Sequence, residues 1–262
     1  MGNDSVVTAQ SQFRNLRIFN AVMCVLHLGQ AAAMLALAND YSITITTSFL
    51  KWVGGRPSTV TDNLATVRMG PLVAAFLLIS AVAHFIMASP IGFKWYTRNL
   101  EKNINYLRWY EYALSASLMV VLIGMLSGIY DLPTMILLFT LTATMNLFGL
   151  VMELHNQTTA KTDWTAFIFG CIAGIVPWIV IAWYFFAAIT SSAEAVPTFV
   201  YTILGILFVF FNSFAINMVL QYKKVGPWKD YLFGEKVYMI LSLVAKSALA
   251  WQVFAGALAR TN

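Results

Sequence analysis

The residues best suited to chemistry are a lysine and a glutamate that stand inside long apolar runs. Lys246 lies in LSLVAKSALAWQ and Glu111 lies in LRWYEYALSAS. Charged side chains are costly to bury in a membrane, so each of them is a functional candidate by default. A buried amine beside a carboxylate can form a structural ion pair, bind a solute and its protons in a transporter, or carry a chromophore covalently. The residues alone leave these three possibilities open.

Weaker polar side chains accompany this pair. Ser242 precedes Lys246 by four residues, so both occupy one helix face and the hydroxyl can reach the lysine nitrogen. The same spacing, or a similar depth in another apolar run, selects four further candidates, which are Ser115, Ser80, His84 and His27. A single histidine in such a run is more often a hydrogen-bonded interhelical residue than a proton carrier. Arg108 and Glu153 stand near the ends of apolar runs, where we expect no special role.

The overall composition is that of an integral membrane protein. Of 262 residues, 60% are hydrophobic and 10% are charged, whereas a soluble domain carries about a quarter charged residues. The apolar runs form one series, which predicts a single domain over residues 1–262. The net charge of +5 comes from basic residues in short loops, a placement that membrane topology explains better than nucleic acid binding does. The sequence has no recognisable metal motif, phosphate loop or nucleophile triad, so we expect neither an enzyme nor a metal site.

Seven runs are long enough to cross a lipid bilayer, which requires about 20 apolar residues. They cover residues 18–38, 69–89, 105–129, 132–152, 164–189, 196–220 and 237–259. The connections between them are short except for residues 39–68. That segment contains an alternating SITITT stretch, a VGGRP turn and STVTDNLATV, which together predict a β-hairpin that caps one membrane face. We therefore expect a seven-helix membrane bundle with a hairpin between its first two helices.

The basic residues predict how the bundle is oriented. Eleven lysines and arginines lie on the N-terminal side of the predicted spans and four on the other side, which with Lys246 make up the 16 in the chain. This excess predicts a cytoplasmic N-terminus, an external C-terminus and an external hairpin. The four basic residues on the external side are Lys51, Arg56, Arg68 and Arg260. The cytoplasmic segments Lys94–Lys102 and Lys223–Lys236 could dock a soluble protein, although we expect most of their charges to anchor the topology.

The buried polar residues fall at similar depths in the bundle. A helix rises about 1.5 Å per residue, so the position of a residue in its apolar run gives its depth in the membrane. Side chains tilt toward the N-terminus of their helix, which brings the Lys246 nitrogen toward the level of Glu111. His84 has a similar depth because the second helix runs inward. The sequence therefore predicts one compact polar pocket in the cytoplasmic half of the membrane.

Several of these segments resemble the heliorhodopsin family, and the resemblance runs over nearly the whole chain. The segments that carry it are SLVAKSALAWQ around Lys246, LRWYEY around Glu111, FGCIAGIVPW at 169–178, FFNSFA at 210–215 and the LALAND run that ends at Asp40. The family differs from ordinary microbial rhodopsins in its inverted membrane orientation, which the basic residues predict independently. The resemblance implies an all-α, rhodopsin-like seven-helix membrane fold.

Carried over residue by residue, the resemblance implies that Lys246 forms a protonated Schiff base with all-trans retinal and that Glu111 is its counterion. Ser242 occupies the place where ordinary pumps usually carry a second carboxylate. The residues that match the family's polar cluster on the cytoplasmic side are Ser80, His27 and His84. The residues that match positions lining the retinal are Tyr112, Trp178 and Phe211. The family often has an asparagine at Thr142 and a glutamine at Met218, and these departures bear on colour.

The resemblance implies a light-sensing protein, and the one-sided polar pocket predicts a slow photocycle without ion pumping. After Glu111 the third run reads YALSASLMVVLIGMLSG, with no second carboxylate that could reload the site from the other side. A polar cluster on one side only fits signalling better than vectorial transport. Two alternatives stay open, a light-gated proton or ion conductor and a retinal-free transporter. The resemblance also implies a homodimer in the lipid bilayer, and a cytoplasmic signalling protein is the expected partner.

Overall fold

The computed structural model describes residues 2–191 and 198–259. Within these ranges the chain forms eight α-helices, seven of which are long and apolar enough to cross a membrane. The eight helices are α1 (Gly2–Leu37), α2 (Met69–Ala88), α3 (Pro90–Leu100), α4 (Tyr106–Leu126), α5 (Leu132–His155), α6 (Thr165–Ser191), α7 (Thr198–Tyr222) and α8 (Tyr231–Val253). The predicted seven-helix membrane bundle is confirmed.

Some helices extend beyond the predicted apolar runs. α1 begins at Gly2 rather than near residue 18, because polar residues continue the helix past its apolar part. α8 begins at Tyr231, where the Asp230 side chain accepts a hydrogen bond from the amide of Leu232 and caps the helix. Hydropathy predicts only the part of a helix that lies in lipid, so the polar turns at the helix ends were left out of the predicted runs. Residues 196–197 of the sixth predicted span, and Arg260, lie outside the described residues.

The short helix α3 was not predicted. It follows α2 directly, and the Ser89 hydroxyl caps it by accepting a hydrogen bond from the amide of Gly92 at 3.1 Å. Gly92 lies so close to the end of α2 that an added Cβ would come within 2.1 Å of the Ile86 carbonyl oxygen. Tyr96 is buried on the inner face of α3. The connection between the second and third spans is therefore an ordered helix packed on the end of the bundle.

The predicted hairpin between the first two spans is confirmed. Its antiparallel strands are β1 (Ser42–Val53) and β2 (Arg56–Arg68). Gly54 and Gly55 form the turn with φ of 59° and 75°, a conformation that glycine adopts without steric cost. The amide of Thr46 donates a hydrogen bond of 2.9 Å to the carbonyl of Tyr130 in the α4–α5 connection. The hairpin is thereby attached to the end of the bundle opposite α3.

The interior of the bundle differs between its two ends, which we call the α3 end and the hairpin end. Toward the hairpin end the core is apolar, and Leu122, Ile123 and Leu249 are at most 1% exposed. The described spans contain no Asp, Glu, Lys, Arg or His on the hairpin side of Lys246 and Glu111. The buried charged and imidazole side chains are His27, His84, Arg108, Glu111, Glu153, Glu235 and Lys246. Among the described residues, the buried charged and imidazole side chains are thus confined to the middle and the α3 end of the bundle.

Candidate functional site

A buried ion pair joins α8 to α4 in the middle of the bundle. Lys246 Nζ lies 3.0 Å from Glu111 Oε1, and the two side chains are 3% and 7% exposed. Lys246 Nζ also donates a hydrogen bond of 2.6 Å to Ser242 Oγ, one turn earlier on α8. Ser80 Oγ of α2 donates a hydrogen bond of 2.6 Å to the same Glu111 oxygen. One amine, one carboxylate and two hydroxyls therefore meet in an apolar interior.

Two stacked histidines from α1 and α2 stand near this ion pair. The rings of His27 and His84 are nearly parallel, with centroids 5.6 Å apart. His84 Nδ1 is hydrogen-bonded to Asn20 Oδ1 at 2.8 Å, whereas neither nitrogen of the buried His27 has a hydrogen-bond partner among the described residues. Buried polar atoms normally have a partner. The two His27 nitrogens are therefore available for polar contacts beside the lysine–glutamate pair. Asn20 also belongs to this group through its hydrogen bond with His84, and it was not predicted from the sequence.

The remaining residues predicted on α4 lie close to Glu111. Ser115 is fully buried one turn after it. The Tyr112 ring lies under the lysine, with its centroid 5.1 Å from Lys246 Nζ, a position in which an aromatic face attracts a cation. The Tyr112 phenol donates a hydrogen bond of 2.9 Å to the Tyr238 carbonyl on α8. Adjacent residues of α4 thus contact the lysine through a carboxylate and through a ring.

A cavity of about 510 Å³ lies between α4, α5, α6, α7 and α8. A second cavity of about 40 Å³ reaches Lys246. The side chains of Tyr112 and Phe211 line both cavities, which therefore adjoin. Trp178 also lines the larger cavity and packs edge-to-face on Phe211, with ring centroids 5.3 Å apart. The three predicted aromatic residues thus form walls of an apolar space that leads to the lysine.

Of the two residues that depart from the family pattern, one lines this space. Met218 is a wall residue of the larger cavity. The hydroxyl of Thr142 is instead hydrogen-bonded at 2.8 Å to the carbonyl of Leu138 in its own helix.

Two glycines that the sequence analysis did not single out shape the larger cavity. A Cβ added to Gly149 would come within 2.2 Å of the Trp109 ring, and one added to Gly174 within 2.2 Å of the Met145 sulfur. Trp109 and Met145 themselves line the cavity. The bare backbone at both positions lets these large side chains lie where they form the walls. Their signal in the sequence is weak because glycine is common in membrane helices.

A second buried ion cluster lies nearer the α3 end. Arg108 forms ion pairs with Glu153 and Glu235, and the three side chains are 4%, 1% and 1% exposed. The Arg108 guanidinium lies over the rings of Trp109 and Tyr238, with Cζ 4.5 Å and 4.1 Å from their centroids. The expectation that Arg108 and Glu153 need no special account was wrong. Arg108, Glu153 and Glu235 all lie at the α3 end of their helices. This common position in the sequence pattern could have indicated that the three side chains meet.

The geometry suits a long apolar ligand with a carbonyl group at one end. The Lys246 amine can form a covalent bond with such a group, and the aromatic cavity next to it can enclose the rest.

Comparison with known proteins agrees with this geometry. The sequence model of the heliorhodopsin family matches residues 16–258. The comparison with curated proteins gave no match. The matched range includes the lysine–glutamate pair, the stacked histidines and both cavities. With seven membrane-spanning helices and a match over nearly its whole length, the chain belongs to the heliorhodopsin family, the retinal-binding, light-sensing membrane proteins.

Proposed function

We propose that this protein is a sensory photoreceptor in which Lys246 binds all-trans retinal covalently, and that it signals without pumping ions. The observation that carries the proposal is the position of the Lys246 amine. It lies 3.0 Å from Glu111 and beside an aromatic cavity of about 510 Å³. A multi-pass retinal protein needs such an amine, one carboxylate and an apolar space large enough for the chromophore.

The residues around the cavity fit retinal. Bound retinal supplies the absorption of visible light and a double-bond isomerisation, whereas the protein supplies orientation and electrostatics. Tyr112, Trp178 and Phe211 would hold the polyene and its ring between aromatic faces. Gly149 and Gly174 would keep the cavity open by omitting side chains where Trp109 and Met145 lie. The unpartnered nitrogens of His27 would provide polar contacts near the lysine.

Glu111 would be the counterion of the lysine nitrogen. In an apolar interior a carboxylate stabilises a positive charge on a neighbouring nitrogen. Ser80 fixes the carboxylate through a hydrogen bond of 2.6 Å, and Ser242 offers the nitrogen a neutral hydroxyl at the same distance. Displacement of the nitrogen would break its contacts with Glu111 and Ser242 together. The resulting strain would act on α4 and α8, which is how a local change could reach the ends of the bundle.

The distribution of charge supports a sensor rather than a pump. A pump needs groups that exchange protons or ions on both sides of the chromophore. In the described spans, no Asp, Glu, Lys, Arg or His lies on the hairpin side of the lysine–glutamate pair. A pump would give a light-driven pH change in intact cells that an uncoupler abolishes, and we expect no such change.

A light-gated proton or ion conductor is the second candidate. One observation favours a conductor. The polar region extends from the lysine–glutamate pair toward the α3 end through the unpartnered His27, the stacked His84 and Asn20. Voltage-clamp recording separates the two functions, because a conductor gives photocurrents that reverse with voltage and a sensor gives none. A retinal-free transporter is not proposed, because the family binds retinal.

We also propose the membrane arrangement that the basic residues predict. The whole chain, residues 1–262, forms one domain with a cytoplasmic N-terminus and an external hairpin. The protein forms a homodimer, and a cytoplasmic protein receives the signal, with the basic Lys223–Lys236 loop as its contact. Labelling of cysteines introduced at Ser58 and Lys224 in intact cells tests the orientation, because only the external position reacts with an impermeant reagent. Pull-down in light and in darkness tests the partner.

The attachment site is tested by chemical reduction. All-trans retinal is added to the purified full chain, the pigment is reduced with borohydride, and peptide mass spectrometry locates the retinyl group. We expect the label on Lys246, with exposed lysines such as Lys224 unlabelled in the same sample. Label on another lysine, or on none, would contradict the proposal.

A further inference from the structure

The outer face of α3 is amphipathic, and no part of the described chain covers it. Ile91 is 93% exposed and Trp95 is 44% exposed, although both side chains are large and apolar. Lys94 and Arg98 are also exposed and alternate with them at helical spacing, so the four side chains share one face. The opposite face buries Tyr96, which is 2% exposed. α3 is therefore attached to the bundle by one face and presents the other outward.

The position of α3 puts this face at the boundary between lipid and water. The helix has 11 residues, about half of what a membrane span requires. It connects two helices, α2 and α4, that are both long and apolar enough to span the membrane. Such a helix lies along the membrane surface rather than across it. Tryptophan is typical of this boundary, because its ring is apolar and its N–H is polar.

The outer face is also held in place by the bundle. Tyr96 packs into a cluster of buried side chains with Leu16 of α1 and Met239 of α8. The Tyr96 side chain interacts with Asn20 of α1, and burial raises the pKa of the Tyr96 phenol to about 12, so it stays neutral at physiological pH. Because these contacts fix the position of α3 on the bundle, the side chains of its outer face are held in place before a ligand binds.

Positive charge surrounds this face. Arg17 of α1 donates a hydrogen bond of 2.7 Å from Nε to the Ala88 carbonyl at the end of α2. Its guanidinium lies 5.1 Å from the centroid of the Phe93 ring on α3. Lys102 follows α3 and is exposed, and within residues 90–105 the acidic counterpart is Glu101 alone. The local excess of positive charge would attract an anionic surface.

We propose that α3 binds anionic phospholipid headgroups of the adjacent leaflet. Lys94, Arg98 and Lys102 contact the phosphates, while Ile91 and Trp95 enter the layer of acyl chains. The alternation of basic and apolar side chains favours a lipid over an acidic soluble protein or a free phosphate ion, since neither of those would lie at the boundary with acyl chains. This proposal concerns α3 alone and does not depend on how Lys246 works.

The charge part is tested by native mass spectrometry of the purified full chain. The protein is exposed to equal amounts of phosphatidylglycerol and phosphatidylcholine with identical acyl chains, and the retained lipids are counted. The triple variant Lys94→Gln, Arg98→Gln and Lys102→Gln should lower the preference for phosphatidylglycerol by at least about fivefold. The control variant Lys223→Gln, Lys224→Gln and Lys229→Gln removes the same charge from another exposed loop and should leave the preference unchanged.

Three outcomes would overturn this proposal. The first is an undiminished preference in the α3 variant, and the second is an equal loss in the control variant, which would indicate a general effect of net charge. The third is complete competition by inorganic phosphate, which would indicate a simple anion site. Both variants change exposed side chains only, and circular dichroism verifies that they are folded.

The apolar part has its own test. Phosphatidylglycerol brominated on the upper part of its acyl chains quenches tryptophan fluorescence at short range. The chain has 8 tryptophans, so Trp95→Phe isolates the contribution of Trp95. We expect the quenched signal to fall in Trp95→Phe and to stay unchanged in Trp228→Phe, a control at a loop tryptophan. Equal quenching in the wild type and in Trp95→Phe would show that Trp95 lies outside the lipid.

Discussion

The two buried ion clusters follow one another along the bundle, and their carboxylates differ in how they are hydrogen-bonded. In the Arg108 cluster, Glu153 is saturated, since each of its oxygens has two donors. Those donors are Arg108, Tyr231, the amide of Asn105 and the indole of Trp109. In the Lys246 cluster, the carboxylate of Glu111 faces the lysine nitrogen and the hydroxyls of Ser80 and Ser115. Neighbouring His27 has no hydrogen-bond partner among the described side chains.

Burial of charge does not by itself identify a functional site. A carboxylate with four donors, such as Glu153, has no capacity left for a ligand and holds helices together. An ion pair that adjoins a cavity, such as Lys246 with Glu111, can accept a cofactor and respond to it. We therefore expect substitutions in the Arg108 cluster to change stability, and substitutions in the Lys246 cluster to change the absorption spectrum.

The largest expected effect is that of Lys246→Ala. Without the amine no covalent pigment can form, so the visible absorption band should be lost completely while the protein remains folded. Absorption spectra after addition of retinal, together with circular dichroism, measure both properties. Lys224→Ala, which changes an exposed lysine, should form the normal pigment. A stable visible band in Lys246→Ala would remove this residue from the proposed function.

Arg108→Met tests whether the Arg108 cluster contributes to stability rather than to the spectrum. Loss of the guanidinium leaves two carboxylates buried without their cation, which should cost about 3–5 kcal/mol of unfolding free energy. Denaturant unfolding of the purified protein measures the loss, and Arg98→Met, at an exposed arginine, should change it little. The fraction that stays folded should absorb at the wild-type wavelength. A large spectral shift in that fraction would show that the two clusters are not separate in function.

Glu111→Gln should change the spectrum more than the stability. The uncharged amide no longer stabilises the positive nitrogen, so the band moves to the red or the nitrogen loses its proton. The matched variant is Glu153→Gln, in which the same change is made at the carboxylate that has four donors. Its band should keep the wild-type position. If the spectrum of Glu111→Gln were unchanged, Glu111 would not be the counterion.

The smallest of these effects is expected for Gly149→Ala. The added methyl group meets the Trp109 ring at 2.2 Å, so the ring must move and narrow the cavity, at a cost of about 1–3 kcal/mol. We expect slower pigment formation and a lower melting temperature of the pigment. Gly205→Ala is the control, because a Cβ there meets nothing within 4 Å. Identical pigment formation in the two variants would mean that Gly149 does not shape the retinal cavity.

The features that could be predicted from the sequence are those with a local physical cause. The seven spans follow from apolar runs of sufficient length, and the hairpin follows from strand alternation around Gly54 and Gly55. The contact between Ser242 and Lys246 follows from four-residue spacing on one helix. Each of these signals is contained in one continuous segment.

Other features depend on how the helices pack against one another and could not be predicted from the sequence. Arg108, Glu153 and Glu235 come from three helices, and their meeting depends on how each helix is rotated about its axis. The cavity depends on Gly149 and Gly174, whose importance shows only when Trp109 and Met145 are placed against them. A single sequence records the face of each helix and its approximate depth, whereas rotation and separation of helices result from packing all of them at once.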